Sequence, residues 1–276
     1  MRIQHNIMAM NAYRNYNNNT SALSKNLEKL SSGYKINRAG DDAAGLAISE
    51  KMRAQITGLN KAQDNANDGI SLVQTAEGAL SEVHDMLNRM VELATQSANG
   101  TYAEFDREQL QKEVEQLGAE IDRIAASANF NGQKLFDGSL SVASVALTLQ
   151  IGDTADTFNQ LAITLGNMNS AALAIGTINI ETATGAAAAI SFIQSAINAV
   201  SDVRGKLGAV QNRLEHTVNN LSVMEENIQN AESRIRDTDV ADEMMAYTKN
   251  NILIQSAQAM LAQANAVPQG VLQLLQ

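Results

Sequence analysis

Apolar residues recur at steps of three and four along most of the chain, which is the spacing of one face of an α-helix. The longest series runs from Ile56 to Ala94 and ends before Asn99-Gly100, a pair that favours a helix terminus. Further series predict helices from about Phe105 to Ala128 and from Ile190 to Ile235. At about 1.5 Å per residue such helices exceed the diameter of a compact domain, so the pattern predicts a long antiparallel helical rod.

The middle of the chain has a different pattern. Between residues 129 and 185, turn-forming pairs separate short β-branched stretches, namely Asn131-Gly132, Asp137-Gly138 and Gly152-Asp153. The stretches at 142–151 and 161–165 are typical of strands and hairpins. We therefore expect a small β-hairpin region that forms an exposed cap on a mainly α fold.

Both ends of the chain are amphipathic. Ile3, Ile7 and Met10 share one helix face near the start. Near the end, seven apolar residues alternate steps of four and three, interrupted only by Pro268: Leu253, Ala257, Met260, Ala264, Val267, Val271 and Leu274. This heptad spacing predicts coiled-coil terminal helices. One pair of helices cannot bury such surfaces fully, so we expect the ends to be mobile in the monomer and to become ordered only among further copies.

Composition excludes several kinds of chemistry. The chain has 276 residues, a net charge of −10, no cysteine and 4% aromatic residues. Without cysteine there is no disulfide, thiolate nucleophile or cysteine-ligated zinc. The six basic residues of the first forty are dispersed, so we expect no nucleic-acid partner. No run of 18 apolar residues predicts a membrane span, and no cleavable secretory signal is recognisable.

The candidate chemical groups favour structural roles. Asp41 and Asp42 are adjacent carboxylates, but neighbours on a helix point about 100° apart and do not share a proton. With Gly40 they are predicted to start and cap the long helix. The histidines, His5, His84 and His216, are scattered and form no metal-ligand spacing. The sequence therefore predicts no enzyme, no metal site and no cofactor.

Five motifs carry a family resemblance. "LSKNLEKLSSGYKINRAGDDAAGLAISEKMRAQI" at 23–56 resembles the amino-terminal signature of bacterial flagellin. Four further motifs follow in the family's order: "SANGT" at 97–101, "NFNGQKLFDG" at 129–138, "ESRIRDTDVADEMM" at 232–245 and "QANAVPQGVLQLL" at 263–275. The resemblance implies a subunit that polymerises into the flagellar filament for motility. It also implies three regions: terminal helices of the inner filament core (1–40 and 236–276), a helical rod domain (41–138 and 189–235) and a short variable segment (139–188).

The resemblance further implies partners and location. The partners are other copies of the chain, hook-associated and cap proteins, and a type III export chaperone on the carboxy-terminal region. The location is the extracellular filament, reached without a cleavable signal. Flagellins sensed by an animal Toll-like receptor present an arginine, a leucine and a glutamate, which match Arg89, Leu93 and Glu113. The assembly seam, predicted to pack against neighbouring copies, consists of Leu253, Met260, Val267, Val271 and Leu274.

Two alternatives remain open at the level of sequence. The hook-filament junction protein shares the helical ends, but it usually departs from the central motifs found here. The cytoplasmic signalling hairpin of a chemoreceptor is also rich in alanine and built on heptads. That class needs a two-helix hairpin tip, and the β-like segment at 139–185 argues against it.

Overall fold

The computed structural model describes residues 6–141 and 146–274, and side chains within this part up to Gly270. These residues form five α-helices: α1 (Ile7–Ser32), α2 (Ala43–Ala98), α3 (Glu104–Ser127), α4 (Ala183–Arg236) and α5 (Val240–Leu274). Four short strands pair in two antiparallel hairpins, β1 (Asn129–Phe130) with β2 (Gln133–Lys134) and β3 (Leu147–Gln150) with β4 (Gln160–Ile163). The predicted fold class, mainly helical with a small β-hairpin region, is confirmed.

The chain divides into two compact units. The terminal unit comprises Met1–Ile56 and Glu226–Gln276, and the central unit comprises Thr57–Glu225. The terminal unit is larger than the predicted inner-core segments, because the first turns of α2 and the last turns of α4 make side-chain contacts within it. Ser49, which is fully buried, donates to Glu232 over 2.8 Å.

In the terminal unit, the link between α1 and α2 pairs with the link between α4 and α5. Gly33 ends α1 in the left-handed conformation, with a φ of 75° that favours glycine. Its carbonyl then accepts from the backbone N–H of Thr238 at 2.9 Å. Next to it, Tyr34 and Asp237 form an antiparallel bridge. Two chain segments far apart in sequence are thus joined by backbone hydrogen bonds.

Of the three predicted cap residues, only Asp42 caps α2, which begins at Ala43. The Asp42 Oδ1 atom accepts from the backbone N–H of Gly45 at 2.9 Å, the usual geometry of a helix N-cap. Asp41 instead turns back and accepts from the backbone N–H groups of Arg38 and Asn37 at 3.1 and 3.3 Å. These two hydrogen bonds lower the pKa of the Asp41 carboxyl, and the bond from Arg38 has the larger effect.

The core of the central unit consists of the apolar faces of α2, α3 and α4. Leu80 and Leu87 of α2, Ile121 of α3 and Ile193 and Val200 of α4 are all fully buried. Helical periodicity predicted each of these positions. Within the described residues, one 18-residue window of α4 is long and apolar enough to cross a membrane by composition alone. In this window 28% is buried, and Ile193 and Val200 of the same helix belong to the central core.

The middle segment contains the predicted hairpins. The turn between β1 and β2 has positive φ at Asn131 (49°) and Gly132 (82°), as a type I′ hairpin turn requires. In the second hairpin Leu149 lies opposite Leu161. Part of the strand predicted at 142–151 lies outside the described residues.

The expectation that this segment is an exposed cap is wrong. Leu165 and Ile180 are fully buried in the central core. Two polar side chains of α3 form hydrogen bonds with this segment. Gln111 donates to the carbonyl of Ile178 and accepts from the N–H of Ile180 at 3.2 and 2.9 Å. Asp122 accepts from the N–H and hydroxyl of Ser170 at 2.7 and 2.8 Å.

Candidate assembly surface

The α5 helix divides the carboxy-terminal heptad series into two rows. Ala257 and Ala264 are buried, on the helix whose neighbour is α1. Leu253, Met260 and Val267, the members of the assembly seam with described side chains, are exposed, and Met260 is 64% exposed. The side chains of Val271 and Leu274 lie outside the described part. The chain therefore uses the alanine row for its own helix pair and leaves the row of larger residues uncovered.

Further large apolar residues are exposed on both terminal helices. On α1 these are Ile7, Met8, Met10, Tyr13 and Leu27, and on α5 Met244, Met245 and Ile252. Burying one such side chain completely stabilises an assembly by about 1.5–3 kcal/mol. Exposed apolar residues in this number mark a surface that interacts with another protein or with a membrane.

A single asparagine joins the outer ends of the two helices. Asn6 caps α1, since its Oδ1 accepts from the backbone N–H of Ala9 at 3.1 Å. Its Nδ2 donates to the backbone carbonyl of Ala264 at 2.7 Å. The residue four positions after Ala264 is Pro268, which has no N–H to donate back to that carbonyl. Asn6 thus satisfies the acceptor that the proline leaves without a helical donor, and α5 continues through Pro268.

A second asparagine, Asn26, is buried between α1 and α5, with 9% of its surface exposed. In the amide orientation that suits its neighbours, it donates to Oε1 of Glu243 at 2.9 Å and to the carbonyl of Ala22 at 3.0 Å. Its oxygen accepts from Nδ2 of Asn250 at 3.1 Å. Glu243 also lies 3.7 Å from Nζ of Lys29, and its side chain is 14% exposed. An asparagine in the apolar stripe of Leu23, Leu27 and Leu30 is the sequence signal for this contact.

The predicted receptor residues do not all lie on the surface. Arg89 and Glu113 are both about half exposed and form an ion pair with an N···O distance of 2.9 Å. Arg89 also pairs with Glu92, and the hydrogen bonds that Arg89 donates to Glu92 and, next in effect, to Glu113 raise the pKa of Arg89. Leu93, however, is 1% exposed, so its side chain does not lie on the surface beside Arg89. A step of four residues turns a helix by about 40°, which here carries Leu93 into the core beside Met90.

Among residues 6–141 and 146–274, no three histidine, aspartate or glutamate side chains converge as metal ligands. The depression between α3 and residues 170–179 is lined by Gln111 and Asp122, whose polar atoms bond to the backbone of that segment. The terminal helices therefore carry the surface that most needs a partner.

Comparison with known proteins agrees with this geometry. The family model of the bacterial flagellin N-terminal helical region matches residues 3–141, and that of the C-terminal helical region matches residues 190–275. A flagellin of Halalkalibacterium halodurans is 53% identical over 275 residues, covering 100% of both chains. The chain belongs to the bacterial flagellin family.

One further curated protein and one solved structure are similar to this chain. The flagellar filament 33 kDa core protein of Treponema phagedenis is 49% identical over 287 residues, covering 100% of both chains. A solved structure described as a flagellar hook-associated protein of Vibrio parahaemolyticus matches 71% of this chain and 100% of its own, with a TM-score of 0.59 and 14% identity. At that identity the second match shows a shared fold alone.

Proposed function

We propose that this chain is the structural subunit of a bacterial flagellar filament and that it polymerises through the exposed apolar rows of α1 and α5. The observation that carries the proposal is the division of α5, with alanines turned inward and Leu253, Met260 and Val267 turned outward. Full-length identity to flagellins and to a filament core protein supports the same function.

Polymerisation follows from the different chemistry of the two rows. A helical filament needs contacts that do not close on themselves, so the outward row of one copy must meet a different surface on the next. Contact with neighbouring copies buries Met260 and its row, and this burial supplies the free energy of assembly. We expect α1 and α5 to be mobile in the monomer, because the alanine row alone buries little apolar area.

Electron microscopy of the purified full chain, salted out or seeded with filament fragments, tests this function. Filaments of one defined diameter support it. A fragment of residues 41–235, which lacks α1 and all of α5, should stay monomeric in the same solution. Filaments formed equally well by that fragment would show that the terminal helices are not the assembly surface.

The hook-filament junction protein is the less favoured assignment. The fold alone does not separate the two, as the hook-associated structure shows, but the full-length match at 53% identity is to a flagellin. A junction protein should form short segments of limited length. Continuous filaments growing from seeds therefore distinguish a filament subunit from a junction protein.

Export and the remaining partners form a second part of the proposal. We infer that the unfolded chain leaves the cell by the flagellar type III route, with a chaperone on its carboxy-terminal region, and that hook-associated and cap proteins hold the filament ends. The exposed apolar groove of Met244, Met245, Thr248, Lys249 and Ile252 on α5 is a surface that a chaperone would need to cover. Deleting the first twenty residues should retain the chain in the cell, and normal secretion of that deletion would contradict the route.

Recognition by an animal Toll-like receptor is a further proposed interaction. The exposed ion pair of Arg89 and Glu113 offers charged groups on neighbouring helices α2 and α3. Because Leu93 lies in the core, it supports this surface from beneath rather than contacting a receptor directly. Binding of the receptor ectodomain to Arg89→Ala and Glu113→Ala, compared with the unchanged chain, tests the surface.

A further inference from the structure

Two Asn-Gly pairs of this chain lie at exposed turns, and their surroundings differ. Asn99-Gly100 follows the last residue of α2, and Asn131-Gly132 forms the turn between β1 and β2. In such a pair the backbone nitrogen of the glycine can attack Cγ of the asparagine side chain, because no Cβ on the glycine crowds that nitrogen. The backbone and the hydrogen bonds around each pair decide how readily this attack occurs in the folded chain.

The backbone nitrogen of Gly100 is free to react. Its N–H donates no hydrogen bond to any group in the described part of the chain. Asn99 and Gly100 are both exposed. A Cβ placed on Gly100 would meet nothing within 4 Å, so the surroundings leave room for the backbone to move.

The carbonyl that shares a peptide bond with this nitrogen accepts two hydrogen bonds. Nη2 of Arg107 in α3 donates to the Asn99 carbonyl at 3.0 Å, and the backbone N–H of Tyr102 donates to it at 3.4 Å. When the Gly100 nitrogen loses its proton, resonance places negative charge on this oxygen. A guanidinium at the oxygen stabilises that anion, which is the form of the peptide that attacks. Arg107 also offsets the partial negative charge at the carboxyl end of α2, which alone would disfavour the anion.

The side chain that is attacked is polarised as well. The backbone N–H of Thr101 donates to Oδ1 of Asn99 at 3.4 Å. Attack on Cγ moves negative charge onto Oδ1, and a donor at this oxygen stabilises that charge. Groups on both sides of the peptide bond therefore favour the same reaction.

The second Asn-Gly pair lacks these features. Asn131 has a φ of 49° and follows Phe130, which pairs with Gln133 across the hairpin. Closing a ring onto Gly132 rotates the bond between Cα and the carbonyl carbon of Asn131, and here that rotation would disrupt the turn that joins the two strands. Within the described residues, no hydrogen bond reaches the Asn131 carbonyl. The fold therefore protects this pair.

We propose that Asn99 is a site of self-modification, at which the chain converts this asparagine into aspartate and isoaspartate. The Gly100 nitrogen forms a bond to Cγ of Asn99, and the bond from Cγ to Nδ2 breaks. The proton of the Gly100 N–H passes through water to Nδ2, which leaves as ammonia. Water then opens the resulting cyclic imide at Cγ, which gives aspartate, or at the main-chain carbonyl carbon, which gives isoaspartate. The net reaction consumes one water and releases one ammonia.

The modification changes the junction between α2 and α3. Either product adds a negative charge near Arg107, and isoaspartate also lengthens the main chain by one atom. Asn99 belongs to the central unit, whereas the exposed apolar rows of α1 and α5 belong to the terminal unit. Modified copies should therefore still assemble, and the fraction modified at Asn99 would record the age of the subunits. The reaction itself needs no filament.

Peptide mapping by mass spectrometry measures the reaction in the full chain, aged in mildly alkaline buffer. Trypsin places the two Asn-Gly pairs in separate peptides, 90–107 and 124–134. Conversion appears as the mass change of an NH2-to-OH exchange and as two products that elute separately. In the folded chain, peptide 90–107 should convert at least about fivefold faster than peptide 124–134. In urea the two pairs should convert at similar rates, which is the control for the sequence alone.

Variants of α3 test the role of the guanidinium. Arg107→Gln should slow conversion of Asn99 about fivefold to tenfold in the folded chain, the effect of one charge-assisted hydrogen bond on a barrier. Arg107→Lys keeps the positive charge and should retain more of the rate. Arg123→Gln removes a guanidinium that pairs with Glu120 on the same helix and is the matched control. Gly100→Ala, which the surroundings accommodate, should also slow conversion, because a Cβ crowds the attacking nitrogen.

The direction of the Arg107→Gln effect separates a chemical role from a structural one. If Arg107 only restrained the turn, its removal would loosen the backbone and raise the rate at Asn99. An unchanged or higher rate in folded Arg107→Gln would therefore overturn the proposal, and so would equal conversion of both pairs in the folded unchanged chain. An equal loss of rate in urea would also overturn it, because the folded contact is absent there. None of these results bears on filament formation, which electron microscopy tests separately.

Discussion

The guanidinium carbon of Arg236 lies 4.7 Å from the centre of the Tyr34 ring, so the last residue of α4 covers the residue that follows the α1 cap. The same guanidinium forms an ion pair with Glu50 of α2 at 2.7 Å, and the Arg236 side chain is 12% exposed. Its backbone carbonyl accepts from the N–H of Lys35 at 2.6 Å. One arginine therefore holds three segments of the terminal unit together through charge, ring contact and backbone.

Replacing this arginine should loosen the links locally. We expect Arg236→Gln to cost about 1–2 kcal/mol, because it removes a cation–π contact and a partly shielded ion pair. Amide hydrogen exchange of Lys35 and Thr238 should then be about tenfold faster. Arg234→Gln makes the same charge change at an exposed position two residues away and is the control. Equal exchange rates in the two variants would show that Arg236 does not organise the links.

Two glycines of α2 give opposite expectations for the same substitution. A Cβ on Gly78 meets nothing within 4 Å, so Gly78→Ala should raise the free energy of unfolding by about 0.5–1 kcal/mol. A Cβ on Gly69 would overlap the Leu149 side chain of β3 and approach Leu214 to 3.3 Å. Gly69→Ala should therefore lower stability by about 1–3 kcal/mol relative to Gly78→Ala. Urea unfolding of both variants measures the difference, and equal stabilisation would show that β3 does not lie against Gly69.

The assembly seam is tested by placing a charge on it. Met260→Asp should abolish filaments, because each subunit would bury an unpaired carboxylate at a cost of several kcal/mol. Sedimentation measures the amount of polymer.

Met260→Leu is the control, because it keeps the apolar volume and should still polymerise. The unfolding temperature of the monomer should change by no more than about 1–2 °C, since Met260 belongs to the terminal unit and is not among the buried residues of the central core. Normal filaments from Met260→Asp would remove Met260 from the interface. Val271→Asp is expected to behave like Met260→Asp.

Stability measurements separate the two roles near the proposed receptor surface. Leu93→Ala leaves a cavity in the central core and should cost about 2–5 kcal/mol. Arg89→Ala removes an exposed ion pair and should cost at most about 1 kcal/mol. Thermal unfolding of the two variants measures both stability costs. If Arg89→Ala weakens receptor binding without lowering stability, Arg89 contacts the receptor directly. If Leu93→Ala is as stable as the unchanged chain, that result would contradict the burial of Leu93.

The turn before α2 should respond to acid in a defined direction. Hydrogen bonds from the backbone of Arg38 and Asn37 hold the pKa of Asp41 below 3.8, its usual value. A lowered carboxyl pKa means that the folded state binds the proton less readily, so this contribution to stability is present above the unfolded pKa and disappears as the pH falls through the folded value. The variant Asp41→Asn has no carboxyl at this position, so it should not show this loss of stability at low pH. Nuclear magnetic resonance titration of the carboxyl checks the direction, and a midpoint above 3.8 would contradict it.

Periodicity predicted the long helices because their buried positions repeat every three or four residues. The ends were less well predicted: α4 starts at Ala183, well before Ile190, because alanines continue a helix without adding to an obvious apolar stripe. The type I′ turn at Asn131-Gly132 was readable because only a few residue types accept two positive φ angles. Helical periodicity and turn preferences depend on residues close together in the chain, so they can be predicted from the sequence.

Contacts between residues that are distant in the sequence could not be predicted in this way. Nothing local couples Arg236 to Tyr34 or Gln111 to Ile180, because each contact depends on how separate elements meet. Leu93 illustrates the limit within a single helix. It follows Arg89 by four residues, yet the edge of the core passes between them, and spacing alone does not locate that edge.

The packed middle segment has a practical consequence for labelling and proteolysis. No lysine or arginine occurs from Leu135 to Val203, so trypsin and amine-reactive dyes have no target in this stretch. The β3–β4 connection nevertheless exposes Ala155 and Phe158. A cysteine in place of Ala155 would be the sole thiol of the chain, and one fluorophore could then be attached to each subunit on a segment that common protein chemistry leaves unmarked.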